Sequence, residues 1–254
     1  MISRYEAVLN GQALSSISTS ILILDINYSA PTYQNEVYTV AKRQGGRIYR
    51  KHADKLLTTI TFAIRAYDIR ERQSICNAVQ QWAGQGGILQ TNDREGQRLR
   101  CVCEQLPTIT SALKWTDPLT VTFAAYALPF WEESIPAELT LSGTSGSGSL
   151  WVPGCVEGAL VEVDATTSAA ITSLSTTVNS RTLSLTGISV AANKVIKIAY
   201  DDEMIQSIKV GATSLLAKRT GVDDLLANCG KSNTMSFSSD ASVSVVFRVR
   251  GLWV

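Results

Sequence analysis

Apolar and polar residues alternate along much of this chain, and that two-residue period limits its fold more than any other feature. In Leu56-Leu57-Thr58-Thr59-Ile60-Thr61-Phe62-Ala63-Ile64-Arg65 the even positions are mainly apolar and the odd ones mostly polar or small. Such alternation marks a strand buried on one face. It returns in Arg181-Thr182-Leu183-Ser184-Leu185-Thr186 and in Ser242-Val243-Ser244-Val245-Val246-Phe247-Arg248-Val249-Arg250. Gly45-Gly46, Gly86-Gly87, Pro153-Gly154 and Gly211 punctuate the runs. Many strands with frequent turns predict a mainly β chain of sandwich or barrel architecture. A length of 254 residues, 45% of them hydrophobic and 18% charged, suffices for two ordinary domains, each with its own core.

One segment breaks the alternation. Residues 68–83 predict a helix: Asp68 caps the first turn and Glu71, three residues on, completes a capping box. Ile75, Val79 and Trp82 then form one apolar stripe suited to lie on a sheet, and Gly84 is the expected stop. A second, shorter helix is expected at about residues 222–227. Past Phe130-Trp131-Glu132-Glu133 the content of Ser, Thr, Gly and Ala rises, which places a domain boundary there and divides the chain into 1–133 and 134–254. Gly143-Thr144-Ser145-Gly146-Ser147-Gly148-Ser149 reads as a mobile loop inside the second domain, because Ala137-Glu138-Leu139-Thr140-Leu141 before it already reads as a strand. No internal repeat recurs at a fixed period, which argues against solenoids and propellers.

The side chains that carry chemistry are sparse. Formal net charge is +1, with 14 Lys and Arg against 12 Asp and Glu in residues 1–133 and 9 against 10 in the rest, so no global field points to nucleic acid or membrane. The opening Met1-Ile2-Ser3-Arg4-Tyr5-Glu6 lacks the apolar core of a secretory signal, and runs such as Ile21-Leu22-Ile23-Leu24 are too short to span a bilayer. Assembly in a cytoplasm is therefore expected. Five scattered cysteines read as free, buried thiols rather than a disulfide framework. Both thiols of Cys101-Val102-Cys103 fall on one strand face, which suits packing better than chelation. His52 is the sole histidine and stands beside Arg50 and Lys51, a poor setting for a general base. Gly230-Lys231-Ser232 lacks the earlier glycine of a phosphate loop, since position 225 is Leu225. Asp201-Asp202-Glu203 and Asp223-Asp224 read as solvated turns rather than calcium ligands. These residues give no enzyme, cofactor or metal site.

The order of elements supplies a resemblance. A strand pair around residues 36–43 and 46–51 leads into the alternating strand 56–67. The acidic-capped helix Asp68-Ile69-Arg70-Glu71-Arg72-Gln73 follows, ends in Gln80-Gln81-Trp82-Ala83-Gly84, and gives way to Gly87-Ile88-Leu89-Gln90 and residues 97–104. This resembles the first, tail-tube-like domain of the distal tail proteins of siphophages. The second half is similar to that family's galectin-like β-sandwich, from Lys194-Val195-Ile196-Lys197-Ile198-Ala199-Tyr200-Asp201 through Ile208-Lys209-Val210-Gly211-Ala212 to a closing strand over residues 243–253. Where the family often has a Pro-Gly-x-Asn turn, this chain has Cys229-Gly230-Lys231-Ser232-Asn233, a local departure. The resemblance implies a virion protein at the distal end of the tail. Six copies would ring the tube through residues 1–133 and leave a channel through which DNA passes unbound. Residues 134–254 would face outward as a platform. The implied partners are other copies of the chain, the tail tube protein, a tail-tip or tail-associated protein and receptor-binding proteins; no membrane is implied.

Between Lys42 and Lys55 stand six cations (Lys42, Arg43, Arg47, Arg50, Lys51, Lys55) and one acid, Asp54. The segment reads as a solvated basic hairpin, as a contact to acidic groups of a neighbouring subunit, or as a contact to DNA. A conduit that gripped phosphates would hold its cargo through counterion release, which disfavours the last. Arg43, Arg47, Arg50 and Lys51 are the candidate inter-subunit contacts. The competing function is a carbohydrate-binding module or adhesin. Trp151 and Trp253, the tryptophans of residues 134–254, would be its stacking platforms, although both are expected to be packing residues.

Overall fold

In the computed structural model, which describes residues 5–39, 46–108 and 118–254, the alternating runs are strands. For residues 38, 39 and 46–51 the backbone is described. The fold is mainly β, with one α-helix among the described residues, and divides into two compact units, 1–131 and 132–254.

The first unit contains β1 (Ala7–Leu9), β2 (Gln12–Ala13), β3 (Ile21–Tyr28), β4 (Tyr33–Thr39), β5 (Gly46–Ala53), β6 (Leu56–Ile64), α1 (Ile69–Gly84), β7 (Gly87–Thr91), β8 (Gln97–Gln105) and β9 (Leu119–Ala125). Its main sheet runs in the order β2-β1-β7-β8-β9-β6-β3, while β4 and β5 form a separate antiparallel pair. Along β6 every second residue from Leu56 to Ile64 is buried, as its period requires. The helix starts where expected: Asp68 accepts a hydrogen bond from the Glu71 N–H (2.8 Å), and the Glu71 carboxylate reaches back to the Tyr67 N–H (2.7 Å). Ile75, Val79 and Trp82 are buried, and Trp82 meets Phe123 of β9 edge to face at 5.8 Å while its indole N–H donates to the Gln12 carbonyl. The helix ends at Gly84, the expected stop, and the left-handed backbone of Gly86 (φ 60°) turns the chain into β7.

A short strand, β10 (Trp131–Glu133), carries the division between the units. The second unit contains β11 (Ala137–Val152), β12 (Glu157–Thr167), β13 (Ile171–Val178), β14 (Arg181–Val190), β15 (Val195–Tyr200), β16 (Gln206–Val210), β17 (Thr213–Ser214), β18 (Arg219–Gly221), β19 (Leu226–Asn228), β20 (Lys231–Val249) and β21 (Leu252–Trp253). One sheet, ordered β17-β16-β15-β12-β20-β13-β14-β18, holds most of them, with β11 along the other side of β20. The 19-residue β20 organises the unit: Met235–Ser239 pair with β13, Val243–Val249 pair with β12, and β11 accompanies both halves. The ladder of β11 on β20 is interrupted between Gly143 and Ser145, whose partners are Val243 and Ser238. The extra residues on β20 form a bulge at which the ribbon changes direction.

Asp240 stands in that bulge. Its carboxylate accepts hydrogen bonds from the Thr172 hydroxyl (2.5 Å), the Thr172 N–H (2.8 Å) and the Ser173 N–H (3.3 Å), which tie β20 to a matching irregularity in β13. Nearer the end of β20, Arg248 spans three strands by donating to Glu138 on β11 (2.7 Å) and Asp164 on β12 (2.5 Å).

Two expectations are corrected here. Residues 143–149 are strand, not loop: Ser145 to Val152 pair residue by residue with Ser238 to Lys231. A Cβ at Gly148 would lie 3.1–3.4 Å from Leu139 and Leu141, on the first half of the same strand, and would crowd the ends of those side chains. Residues 222–227 are not helical; the short helix nearby is a single 3₁₀ turn at Leu216–Lys218, and Leu226–Asn228 is strand β19. Leu225 and Ala227 are buried where this segment pairs with the edge of β12, a ladder that a helical turn could not make.

Candidate assembly surfaces

The basic segment maps onto the β4–β5 pair. Arg47, Arg50 and Lys51 stand on β5 in register with Tyr38, Glu36 and Asn35, and a bulge between Glu36 and Val37 shifts the register between them. Lys42 and Arg43 lie outside the described residues. At the foot of the hairpin, Lys55 is engaged within its own unit. It donates to Glu104 (2.6 Å), which raises its pKa, and its ammonium sits 5.8 Å from the centre of the Tyr126 ring. Asp54, the acid of the segment, accepts from Gln34 at 3.1 Å. The hairpin is paired to itself and lies off the path of both large sheets.

No three His, Cys, Asp or Glu side chains come together as metal ligands among the described residues. Burial pushes the Cys101 thiol up to about 12 and raises Cys76, Cys103 and Cys229 as well, so these thiols are held protonated. Tyr28 is shifted upward, mainly by burial and by its hydrogen bond to Asp93. Its ring meets Trp131 edge to face at 5.5 Å, with the Arg94 guanidinium 4.5 Å from the Tyr28 ring and 5.1 Å from that of Trp131. These contacts make it a packing residue. The acidic turns are structural in the same way. Asp201 accepts from the N–H groups of Glu203 and Ile205, and Asp223 pairs with Arg219 at 2.6 Å.

The second unit presents a surface that sequence reading missed. On β11 from Ser145 to Ser149, on β20 from Ser232 to Ser238, on β13 from Ser173 to Thr177 and on β14 from Thr182 to Thr186, every outward position is serine or threonine. Hydroxyls link across the strands, Ser175 with Ser184 and Thr177 with Thr182 at 2.9 Å. A shallow hollow of about 310 Å³ lies over Ser175, Ser184, Ser238 and Asp240. Trp151 continues the outward row of β11 and is 60% exposed, so it is not a core residue. Trp253 is half-buried, and its indole N–H donates to Glu133 (2.7 Å). The signal was present in the alternation of Ser and Thr with apolar residues, but the joining of four such strands into one face is a property of the ladder.

No protein-family model matches the chain, and no curated protein matches it. Among solved structures, the chain is similar to the Dit protein of phage SPP1, presented as a paradigm of the hub adsorption apparatus of phages that infect Gram-positive bacteria. That match has 12% sequence identity and a TM-score of 0.70, over 97% of this chain and 98% of that one. A chain of the phage P2 baseplate in its activated conformation is similar at 8% identity and a TM-score of 0.44, over 94% and 98%. The likeness to SPP1 Dit shows a shared fold across both units.

Proposed function

We propose that this chain is a structural protein of a long-tailed phage, a hub at the distal end of the tail tube. The observation that carries the reading is the fold shared with SPP1 Dit over nearly the whole chain, which reaches the helix-bearing first unit and the curled sheet of the second alike. In this reading residues 1–133 are the tail-tube-like part. Six copies close through them into a ring on the tube, and DNA passes through the channel without specific binding. Residues 134–254 form the galectin-like platform on which tail-tip and receptor-binding proteins dock. A closed ring needs two different complementary patches on each copy. The basic segment supplies one of them, through Arg47, Arg50 and Lys51 on β5 and through Arg43, which lies outside the described residues. Light scattering on the purified protein, followed by electron microscopy, tests the reading. Six copies of 27.5 kDa give a mass of about 165 kDa and rings with an open centre. A single copy that also fails to form rings on purified tail tubes would reject it.

A second reading, a carbohydrate-binding module or adhesin, draws on Trp151. An exposed indole in line with a field of hydroxyls suits stacking and hydrogen bonding to a sugar chain. A glycan array that binds the protein but not its Trp151→Ala variant would favour it; no binding by either would remove it.

A further inference from the structure

The hairpin of β15 and β16 carries opposite charges at its two ends. Where β15 begins and β16 finishes, Lys194, Lys197 and Lys209 line a hollow of about 520 Å³. Lys197 and Lys209 face each other as ladder partners. Like charges directly opposite destabilise an antiparallel pair unless an anion lies between them. None of the three lysines makes an ion pair among the described residues. The neighbouring carboxylate in register with Lys197, Asp164, is committed to Arg248 at 2.5 Å. At the far end of the hairpin the turn holds Asp201, Asp202 and Glu203, all exposed. Asp201 spends its carboxylate on the turn, accepting from the Glu203 N–H at 3.0 Å, while the Glu203 side chain extends into solvent.

We propose that the acidic turn of one copy enters the lysine hollow of the next, a head-to-tail contact between second units. The two ends of the hairpin are roughly 20 Å apart, at about 3.3 Å per residue of strand. A copy therefore cannot neutralise its own lysines with its own turn, but a neighbour can. Such a contact is heterologous and repeats with one polarity, which is what a cyclic assembly requires, and charge complementarity fixes its direction. The inference rests on the reading of the chain as a ring-forming protein.

The test uses an equal mixture of ¹⁴N- and ¹⁵N-labelled full-length protein treated with a zero-length carbodiimide, with cross-linked peptides read by mass spectrometry. Mixed-isotope links from Lys197 or Lys209 to Asp202 or Glu203 are expected. The double variants Lys197→Glu/Lys209→Glu and Asp202→Lys/Glu203→Lys should each assemble on the order of 10-fold more weakly, and mixing the two should restore assembly. Rings without these links, from variants that assemble as the native protein does, would overturn the inference and leave the ring intact. The links in open chains without rings would uphold the inference and reject the ring. A single copy with no links would reject both.

Discussion

Phe237 lies directly across the β11–β20 ladder from Gly146, and its ring occupies the space that a side chain at 146 would need. A Cβ built there would come within 2.9 Å of the ring edge. The glycine thus lets an aromatic ring lie over bare backbone where the ribbon folds on itself, an arrangement that pins the register of glycine-bearing strands. Gly146→Val should destabilise the protein by about 1–3 kcal/mol, the cost of overpacking a filled site. Urea denaturation measures it, and adding Phe237→Leu to the valine variant should recover part of the loss.

Asp240 should make the second unit acid-sensitive in a defined window. Its hydrogen bonds from Thr172 and Ser173 hold the carboxyl down to about 2, against an ordinary value of 3.8. A carboxyl whose pKa is lower folded than unfolded contributes stability above the unfolded value and loses it as pH falls through the folded one. Asp240→Asn should therefore lower the thermal midpoint at pH 5, and the gap from the native protein should close between about pH 4 and pH 2. A gap independent of pH would mean that the carboxylate's charge plays no part.

At the start of the helix, Asp68 satisfies an N–H that would otherwise have no partner in the first turn. Asp68→Ala should cost about 1 kcal/mol, and Asp68→Ser much less, because serine also caps. Chemical denaturation of the two variants separates the cap from the charge.

Reversing Arg47 and Arg50 to glutamate bears on the first unit's share in assembly. Loss of the ring at physiological salt, with an unchanged circular dichroism spectrum, is the expected result. An intact ring would remove these two residues from the interface.

The alternation over 56–65 and the capped helix were legible because each is a local rule: burial follows chain position, and the cap sits three residues from its partner. The glycine- and serine-rich stretch after Leu141 was misread because composition reports local freedom. Its strand character comes from β20, whose pairing residues lie more than 80 positions away. The short helix expected near residue 222 failed for the same kind of reason, since the Leu225 carbonyl accepts from the Val161 N–H of β12 and its side chain is buried. Trp151 was expected to pack in the core or at a domain interface because aromatics supply large buried area. Its outward direction follows from register, since Val152 and Leu150 on either side take the interior. Of the candidate contacts, Arg47, Arg50 and Lys51 share one strand, a neighbourhood already visible in their spacing.

Because β20 is hydrogen-bonded to β11, β12 and β13 alike, the second unit has an order of construction written into it. On the ribosome those three strands emerge first, and although β12 can meet β15 and β13 can meet β14, the edges that face β20 wait for a strand that begins at Lys231, well after β13 ends at Val178. Serine and threonine fill the outward positions of β13 and of β11 from Ser145 to Ser149, so those faces of the waiting strands are polar. The ladders to β20 are then the last to close, and a ribosome stalled before residue 231 would hold a second unit that lacks the strand joining its two halves.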